Sequence, residues 1–569
     1  MTPPDGAPTR GVHRSITRSL QRAAAPFRAQ RDHWLAAYGG IITAIVLTVT
    51  TLICYAIGLE APVLSRAERP VVLESMSLTT AISGARDDLE SPFAYLMAAA
   101  PQGLFGSAGR TANDLAITAG LPPKLNTDLY AVSGNFYPRI AFAAAGALTV
   151  LVFLLIMRHL RVRHPVIWTL LFATNVIFIY YARTAVSVAP LILVWALLLF
   201  LIFILLTEID APRTWHVAGL AAVFTMLPMV HWYGLIMLFA LEFPVLTMLW
   251  SRRHLPGRRW LLWLAVHAFL FVHFVAWGDV EINLGEAQFV PRTAVSELGR
   301  ALNVEDIYLI FGRLVGGGGW WVWLWLVVLV GAALAWLARV SRSGRSDKGS
   351  GEVTRLALAG RVCLVWVIGF VVLASFLPGG LLVFLRVYPV LLLPLMIVFA
   401  WGATGLMRAS DWRLRTLAIG LVGAALVSNL VNSVPYVAAG AQFNDWKPVG
   451  EVVNRMTARG KTRVVINERH HIDDIRLTLQ DPDIEIDVVE TPEQLQERVD
   501  CCRSQLLYIH LGDPETHDAD IHARAVEYFG SGQRIRAPDA IEFLQARDVF
   551  PYHPDLEPRL EARIYFEPA

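Results

Sequence analysis

Long apolar stretches alternate with shorter polar connections over most of the chain. Most of these stretches are about 17 to 25 residues long, which is the length that an α-helix needs to cross the hydrocarbon core of a bilayer. They lie near residues 35–58, 138–157, 165–182, 187–206, 215–230, 232–250, 260–277, 320–340, 356–377, 385–405 and 413–433. The pattern predicts an α-helical polytopic membrane protein with about eleven transmembrane helices.

The hydrophobic pattern changes after residue 437. Short runs rich in β-forming residues now alternate with helix-like stretches, which is typical of a small layered α/β domain. The strand-like runs are 462–467, 485–490 and 506–511, and the helix-like stretches lie near 472–480, 492–500 and 519–529. We therefore divide the chain into a basic tail (1–33), a transmembrane domain (34–436) with a large first outer loop (60–137), and a soluble α/β domain (437–569).

Composition and charge support a membrane protein and set its orientation. The sequence is 55% hydrophobic and 17% charged, whereas soluble domains are about 25% charged. The net charge of +2 gives no indication of a nucleic-acid partner, and we expect none. Arginine-rich connections such as 158–163 and 252–259 belong on the cytoplasmic side. The protein is then a multi-pass protein of the inner cell membrane, with a cytoplasmic N-terminus and an extracytoplasmic C-terminal domain.

The first outer loop carries the candidate catalytic carboxylates Glu74, Asp87 and Asp88. A carboxylate at a membrane surface can act as a general base. Asp87 and Asp88 also precede Ser91-Pro92, where acids suit the first turn of a helix, so a purely structural role stays open for them. Glu74 stands alone in an apolar context.

Three arginines lie at the outer ends of predicted spans, where the orientation rule disfavours them: Arg139, Arg183 and Arg386. A guanidinium binds phosphate through two parallel hydrogen bonds, so we interpret these residues as candidates for holding a lipid phosphate. The alternative is a snorkelling or ion-paired structural arginine. Tyr388 follows Arg386 closely at a helix start and joins the candidates.

Two further candidates for substrate binding, His231 and Tyr233, lie at the predicted outer interface. Aromatic residues are common there for purely structural reasons, and so is a single histidine. The histidines and aspartates of the C-terminal region match no metal-ligand spacing, so we assign no metal site and expect no cofactor, although a divalent metal stays open. Cys501 and Cys502 are adjacent, and neighbours in sequence rarely form a good disulfide because its geometry is strained.

Several segments together resemble a known family of membrane enzymes. The first loop reads LESMSLTTAI and then ESPFAYLMAAAPQGLFG, and the second span reads YPRIAFAAAGALTVLVFLLIMRHL. LLFATNVIFIYYARTAVSVAPLILVWAL, LRVYPVLLLPLMIVFAWG and NDWKPVGEVVNRM follow in the family's order. The chain resembles GT-C glycosyltransferases of the protein-mannosyltransferase and aminoarabinose-transferase type.

The resemblance implies inverting transfer of a sugar from a polyprenyl-phosphate-linked donor. It assigns Glu74 as the base or acceptor-positioning acid, and Arg139 and Arg386 as cations on the phosphate. Two motifs differ from the family pattern. Its first-loop Asp-Glu pair is Leu73-Glu74 here, and its Glu-Ala-Arg is Thr184-Ala185-Val186.

We therefore expect a membrane glycosyltransferase that acts on the extracytoplasmic face. Its partners are the lipid-linked sugar donor, membrane lipids and an unidentified acceptor. One alternative is a catalytically degenerate scaffold or lipid-linked-sugar-binding protein on the same fold, which the missing charges favour. The other is a transporter, against which the scarcity of charges in most spans argues.

Overall fold

The structure is a computed structural model. It describes residues 39–57, 59, 93–101, 136–207, 214–231, 233–251, 267, 331, 351–375, 388–407, 411–438, 447–461, 463–467, 472, 475, 484–511, 518–535 and 562–566. The chain forms two units, Met1–Thr51 and Leu52–Ala569.

The described part of the first unit, residues 39–51, is a helical segment suited to lipid. Its large apolar side chains, including Ile41, Ile42 and Ile45, are more than half exposed. The hydroxyls of Thr43 and Thr48 bond to the carbonyls four residues earlier in the same helix, at 2.6 and 2.8 Å. These two hydroxyls are thereby satisfied without water. The helix that contains the segment, α1 (Gly39–Ala56), continues into the second unit.

The second unit contains the remaining helices of the apolar region. They are α2 (93–101), α3 (Phe136–His159), α4 (Pro165–Ala173), α5 (Val176–Arg183), α6 (Val188–Thr207), α7 (Thr214–Val230), α8 (Tyr233–Ser251), α9 (Gly351–Ser375), α10 (Tyr388–Met407) and α11 (Trp412–Ala438). Within the described chain, six helices are long and apolar enough to cross a membrane: α1, α3, α6, α9, α10 and α11. The bent pair α4–α5 makes a seventh if it counts as one span.

These helices confirm a mostly helical, multi-pass membrane protein. Apolar side chains such as Phe239, Phe243, Ile419 and Val427 point outward, as lipid contact requires. The total of eleven spans stays a prediction, because 260–277 and 320–340 lie outside the described residues apart from His267 and Gly331.

The predicted single span at 165–182 is wrong in one respect. The structure divides it into α4 and α5, which are bent by 62° relative to each other. The side chain of Asn175 causes the restart, because its Oδ1 accepts a hydrogen bond from the backbone N–H of Phe178 at 3.2 Å and so caps α5.

Two side chains satisfy backbone carbonyls that the break leaves exposed inside the apolar region. The hydroxyl of Tyr55 donates to the carbonyl of Ala173 at 2.8 Å. The amide Nδ2 of Asn429, on α11, donates to the carbonyl of Leu171 at 3.0 Å. A buried carbonyl without a donor is costly, so these contacts stabilise the bent span and fix its position beside α11.

The C-terminal region contains one five-stranded sheet. Its strands are β1 (Arg463–Ile466), β2 (Glu485–Val488), β3 (Leu506–Leu511), β4 (Gln533–Ile535) and β5 (Ala562–Phe566), in the order β2-β1-β3-β5-β4. The first three are parallel, and β5 runs antiparallel to both of its neighbours. Strands β1, β2 and β3 coincide with the three strand-like runs of the sequence. No strand was predicted at the positions of β4 and β5.

Helices cover both faces of this sheet. Helix α12 (Lys447–Thr457) packs on one face through Val449, Val453 and neighbouring apolar residues. Helices α13 (Pro492–Cys502) and α14 (Ala519–Phe529) pack on the other face through Leu495, Val499 and Ile521. This is the layered arrangement that buries both sides of a parallel sheet.

Removal of either donor at the α4–α5 break should destabilise the protein. We expect Tyr55→Phe and Asn429→Leu each to cost about 1–3 kcal/mol, because each leaves a buried carbonyl without its partner. Thermal unfolding of the purified protein in detergent measures the change. The matched control is Thr416→Val, whose exposed hydroxyl bonds to the carbonyl of Trp412, and it should change stability by less than about 0.5 kcal/mol. Equal effects from all three variants would contradict the role given to the break.

Candidate functional site

The structure describes some of the predicted site residues and not others. Arg139, Arg183, His231 and Tyr233 are described with their side chains, and Tyr388 is described as the first residue of α10. The candidate bases Glu74, Asp87 and Asp88, together with Arg386, lie outside the described residues. Their assignment stays a prediction.

Arg139 lies in the first turn of α3 and is completely buried. Its Nη1 donates a hydrogen bond to the backbone carbonyl of Leu59 at 2.9 Å. Leu59 follows the end of α1 and is itself fully buried. The arginine therefore ties the start of one span to the end of another.

Arg183 is the last residue of α5 and is also completely buried. Its Nη2 donates to the carbonyl of Ile57 at 2.7 Å. Its guanidinium carbon lies 5.4 Å from the centre of the ring of Tyr436, a buried residue of α11. A guanidinium over an aromatic face adds a cation–π attraction, so three elements meet at this side chain.

The two arginines converge on carbonyls that are two residues apart in the sequence. The last carbonyls of a helix have no partner within the helix, and they form the negative end of its dipole, about half an elementary charge. Two full positive charges placed at this end exceed the charge of the dipole. Two full positive charges therefore lie where the chain leaves α1.

The helix α2, within the predicted first outer loop, packs beside the same two arginines. Its residues Ala94, Tyr95, Ala98 and Ala99 form one buried cluster, together with Phe142 of α3 and with Ala185 and Ala189 around the start of α6. Phe142 lies one turn after Arg139, and Ala185 lies two residues after Arg183.

Thr184 and Ala185 occupy positions where the family motif places Glu and Ala. The hydroxyl of Thr184 donates to the carbonyl of Tyr181 at 3.3 Å, and Ala185 packs against α2. In this chain the segment is used for a helix end and for packing.

His231 and Tyr233 form a tight turn between α7 and α8. The backbone N–H of Tyr233 donates to Nδ1 of His231 at 3.1 Å, and the two ring centres are 4.2 Å apart. The N–H of Gly234 donates to the carbonyl of His231 at 2.7 Å. A side chain at position 234 would meet the carbonyl oxygen of Leu227, so glycine is required at this close approach. These contacts give His231 and Tyr233 a structural role in the turn.

Three residues that help to build the site were missed in the sequence: Tyr55, Asn429 and Tyr436. Each is a polar side chain inside an apolar run, and that placement was the available signal. What the sequence could not supply is the partner of each group, because the partners are backbone carbonyls or an arginine far away in the chain.

A second polar cluster lies at one end of the sheet. The hydroxyl of Tyr508 and Nδ1 of His510 are 3.1 Å apart, and the rings of His510 and His522 are 5.2 Å apart. Asp518 accepts a hydrogen bond from Nδ2 of Asn467 at 3.0 Å. Burial raises the pKa of Tyr508, and the charge of Asp518 adds to this rise. In the part of the chain that the structure describes, no group of three or more His, Cys, Asp or Glu side chains could hold a metal ion.

Comparison with known proteins gives two similar structures. No family model and no curated protein matches the chain. The two solved structures are ArnT from Cupriavidus metallidurans bound to undecaprenyl phosphate and the same protein in the apo state. The first is 13% identical with a TM-score of 0.44, and the second is 12% identical with a TM-score of 0.40. Each covers 93% of this chain and 98% of ArnT.

ArnT is an aminoarabinose transferase of the GT-C type. It belongs to the family that the sequence motifs resemble.

Replacement of either buried arginine should destabilise the protein. We expect Arg139→Met and Arg183→Met each to lower the free energy of unfolding by about 1.5–3 kcal/mol, the range for hydrogen bonds to charged groups. The control is Arg413→Met, because Arg413 is exposed at the start of α11 and its loss should cost less than about 0.5 kcal/mol. Thermal unfolding in detergent measures all three, and an unchanged midpoint for the buried pair would refute the tethering of α1.

Lower pH should loosen the sheet around His522. Burial, and then the charge of Arg563, lowers the pKa of this histidine below its usual value. Its neutral form is therefore favoured in the folded state. The associated stability is fully present above the unfolded pKa of about 6.5 and is lost as the pH falls through the lower folded pKa.

Hydrogen exchange of the amides in β3 and α14, corrected for intrinsic rates, should show less protection at about pH 5.5 than at about pH 7.5. His522→Gln should reduce this difference. His164→Gln, which changes an exposed histidine, should leave it as in the unmodified protein, and a difference that persists in His522→Gln would assign the effect to another group.

Proposed function

We propose that the protein is a membrane glycosyltransferase that moves a sugar from a polyprenyl-phosphate-linked donor to an acceptor on the extracytoplasmic face of the inner membrane. One observation carries the proposal. Two buried arginines, Arg139 and Arg183, converge just after α1, and α2, a helix of the predicted first loop, packs against the neighbouring parts of α3 and α6. Two buried cations and one helix of the predicted first loop are thereby neighbours in the fold.

The cationic centre has the chemistry that the leaving group requires. During transfer the bond between the anomeric carbon and the phosphate oxygen breaks, and negative charge grows on the lipid phosphate. Positive charges fixed in a low-dielectric region stabilise that charge more strongly than they would in water. Arg386, close to the start of α10, is proposed as a third cation because the resemblance places it on the phosphate.

The second requirement is a base for the acceptor. We propose Glu74, which takes a proton from an acceptor hydroxyl or amine as this group attacks the anomeric carbon. Asp87 and Asp88 are the next candidates. The apolar helices supply a surface for the isoprenoid tail, and the proposed reaction uses no cofactor.

The distribution of basic residues supports the proposed sidedness. A cytoplasmic N-terminus places the arginine-rich connections inside. The end of α1, the first loop and the C-terminal sheet then lie on the extracytoplasmic face.

A second function is favoured by a specific observation, namely binding of a lipid-linked sugar without catalysis. Both buried guanidinium groups bond to backbone carbonyls that directly follow α1, and Thr184 and Ala185 serve a helix end and packing where the family motif has Glu and Ala. A protein with these features could hold the lipid phosphate and present it to a partner.

Transfer and binding assays on the same protein separate the two functions. Full-length protein in lipid nanodiscs would receive a radiolabelled polyprenyl-phosphate sugar, with membranes that lack the protein as the source of acceptor. We expect label to move to the acceptor fraction. Glu74→Gln should reduce the transfer rate by a factor of about 100 or more while donor binding stays unchanged. Glu90→Gln, in the same loop, is the matched control and should transfer normally.

The other outcomes each have one meaning. Donor binding without transfer in the unmodified protein supports the binding function, and the absence of both overturns both proposals. Full transfer by Glu74→Gln would assign the base to Asp87 or Asp88, which Asp87→Asn and Asp88→Asn then distinguish. Uptake of labelled sugar into sealed vesicles without its transfer would indicate a transporter instead.

A further inference from the structure

The Sγ atoms of the adjacent cysteines Cys501 and Cys502 lie close enough to form a disulfide bond. Successive side chains diverge around an intact helix, but α13 ends here, and Cys502 has left the helical backbone conformation with φ −146° and ψ 30°. Two sulfur atoms at a helix end can therefore meet where two inside a helix could not.

A guanidinium group lies directly against this disulfide. Nη1 of Arg463, on the first residue of β1, is 3.3 Å from Sγ of Cys502 and 3.9 Å from Sγ of Cys501. Nε of the same side chain lies 3.8 Å from a carboxylate oxygen of Glu485, its partner in the register of β1 and β2. The strand pairing and this carboxylate hold the arginine in place beside the sulfur atoms.

The two sulfur atoms have different surroundings. Cys501 is exposed, whereas Cys502 is half-buried and closer to the guanidinium. Two hydrogen bonds also hold the turn that follows, residues 503–505. Nζ of Lys461 donates to the carbonyl of Ser504 at 2.6 Å, and Nη2 of Arg503 donates to the carbonyl of Tyr528 at 2.7 Å. The disulfide is thus presented to solvent on a fixed support.

We propose that Cys501–Cys502 is a thiol–disulfide exchange site whose substrates are thiols, either small molecules or protein cysteines. Access decides which sulfur atom is attacked, and a leaving thiol of lower pKa leaves faster. The exposed Sγ of Cys501 is the point of attack. Cys502 leaves as a thiolate, and the positive charge of Arg463 stabilises it.

The negative end of the α13 dipole opposes this thiolate. That end carries about half an elementary charge, whereas Arg463 carries a full charge within hydrogen-bonding distance of the sulfur. The arginine therefore dominates, although its partial exposure and its contact with Glu485 reduce the effect.

The atoms and electrons balance with the external thiol as the reductant. Its thiolate forms a mixed disulfide with Sγ of Cys501, and the Cys501–Cys502 bond breaks. The Cys502 thiolate can then attack the mixed disulfide, which restores the original bond and releases the thiol. Alternatively, a second external thiolate attacks, which leaves both cysteines reduced and the external thiol oxidised to its disulfide.

Differential labelling of the full-length protein tests the site. Protein purified without reductant would first be treated with N-ethylmaleimide, then with glutathione, then quenched with acid and labelled with a heavier maleimide. We expect peptide mass spectrometry to show the heavy label on both Cys501 and Cys502. Light label on these two residues would show that the bond is absent in solution and would overturn the proposal, as would resistance to glutathione under conditions that reduce an exposed model disulfide.

The role of Arg463 is tested by the rate at which glutathione reduces the disulfide in variants of this arginine and of a nearby one. We expect Arg463→Gln to slow reduction by glutathione about three- to tenfold, because the leaving thiol becomes less acidic. Arg463→Lys keeps the positive charge, so its rate of reduction should lie between that of Arg463→Gln and that of the unmodified protein. This second variant still tests the role of the charge if Arg463→Gln does not fold. Arg498→Gln is the matched control, since Arg498 lies on α13 but pairs with Asp487 at 3.2 Å. Its rate should equal that of the unmodified protein.

The quenched mixed disulfide gives an independent result. Glutathione should be found on Cys501. Glutathione on Cys502, or equal rates in Arg463→Gln and Arg498→Gln, would overturn the assigned direction of attack. Sugar transfer is not a readout here, so the outcome is independent of the function proposed above.

Discussion

A backbone carbonyl inside an apolar region must have a donor, and the described membrane part of this protein is organised by that requirement. Where α1 ends, the donors are the guanidinium groups of Arg139 and Arg183. Where the α4–α5 span breaks, they are the hydroxyl of Tyr55 and the amide of Asn429. In lipid there is no water to replace them. Four polar side chains therefore fix how α1, α3, α5 and α11 meet.

This requirement also places charge where the proposed chemistry needs it. An arginine that serves only to complete a helix end brings a full positive charge to a buried location. Two such arginines at one helix end create a cationic centre whose first effect is structural. The proposed enzyme and the proposed binding protein share this centre, and they differ in whether the first loop supplies a working base.

Much of the architecture could be predicted from the sequence, because hydropathy and strand propensity are local properties. The described spans lie close to the predicted ones, and β1, β2 and β3 lie on the three β-rich runs. Arg139 and Arg183 were recognisable because a charge at the outer end of a span is costly. Their carbonyl partners were not recognisable, since every residue has a carbonyl. The break at Asn175 was hidden within a continuous apolar run, and the Cys501–Cys502 bond depended on the local end of a helix.

The sheet has a consequence for the order in which the protein is made. Strand β5 lies between β3 and β4, although it is last in the chain. During synthesis β3 leaves the ribosome with one edge unpaired, and β4 follows without a neighbour, until residue 566 has been produced. A nascent chain stopped before Ala562 would leave open the edge of β3 and the edge of β4 that β5 covers, and open strand edges are templates for aggregation. The last part of the sequence thus protects the region that precedes it.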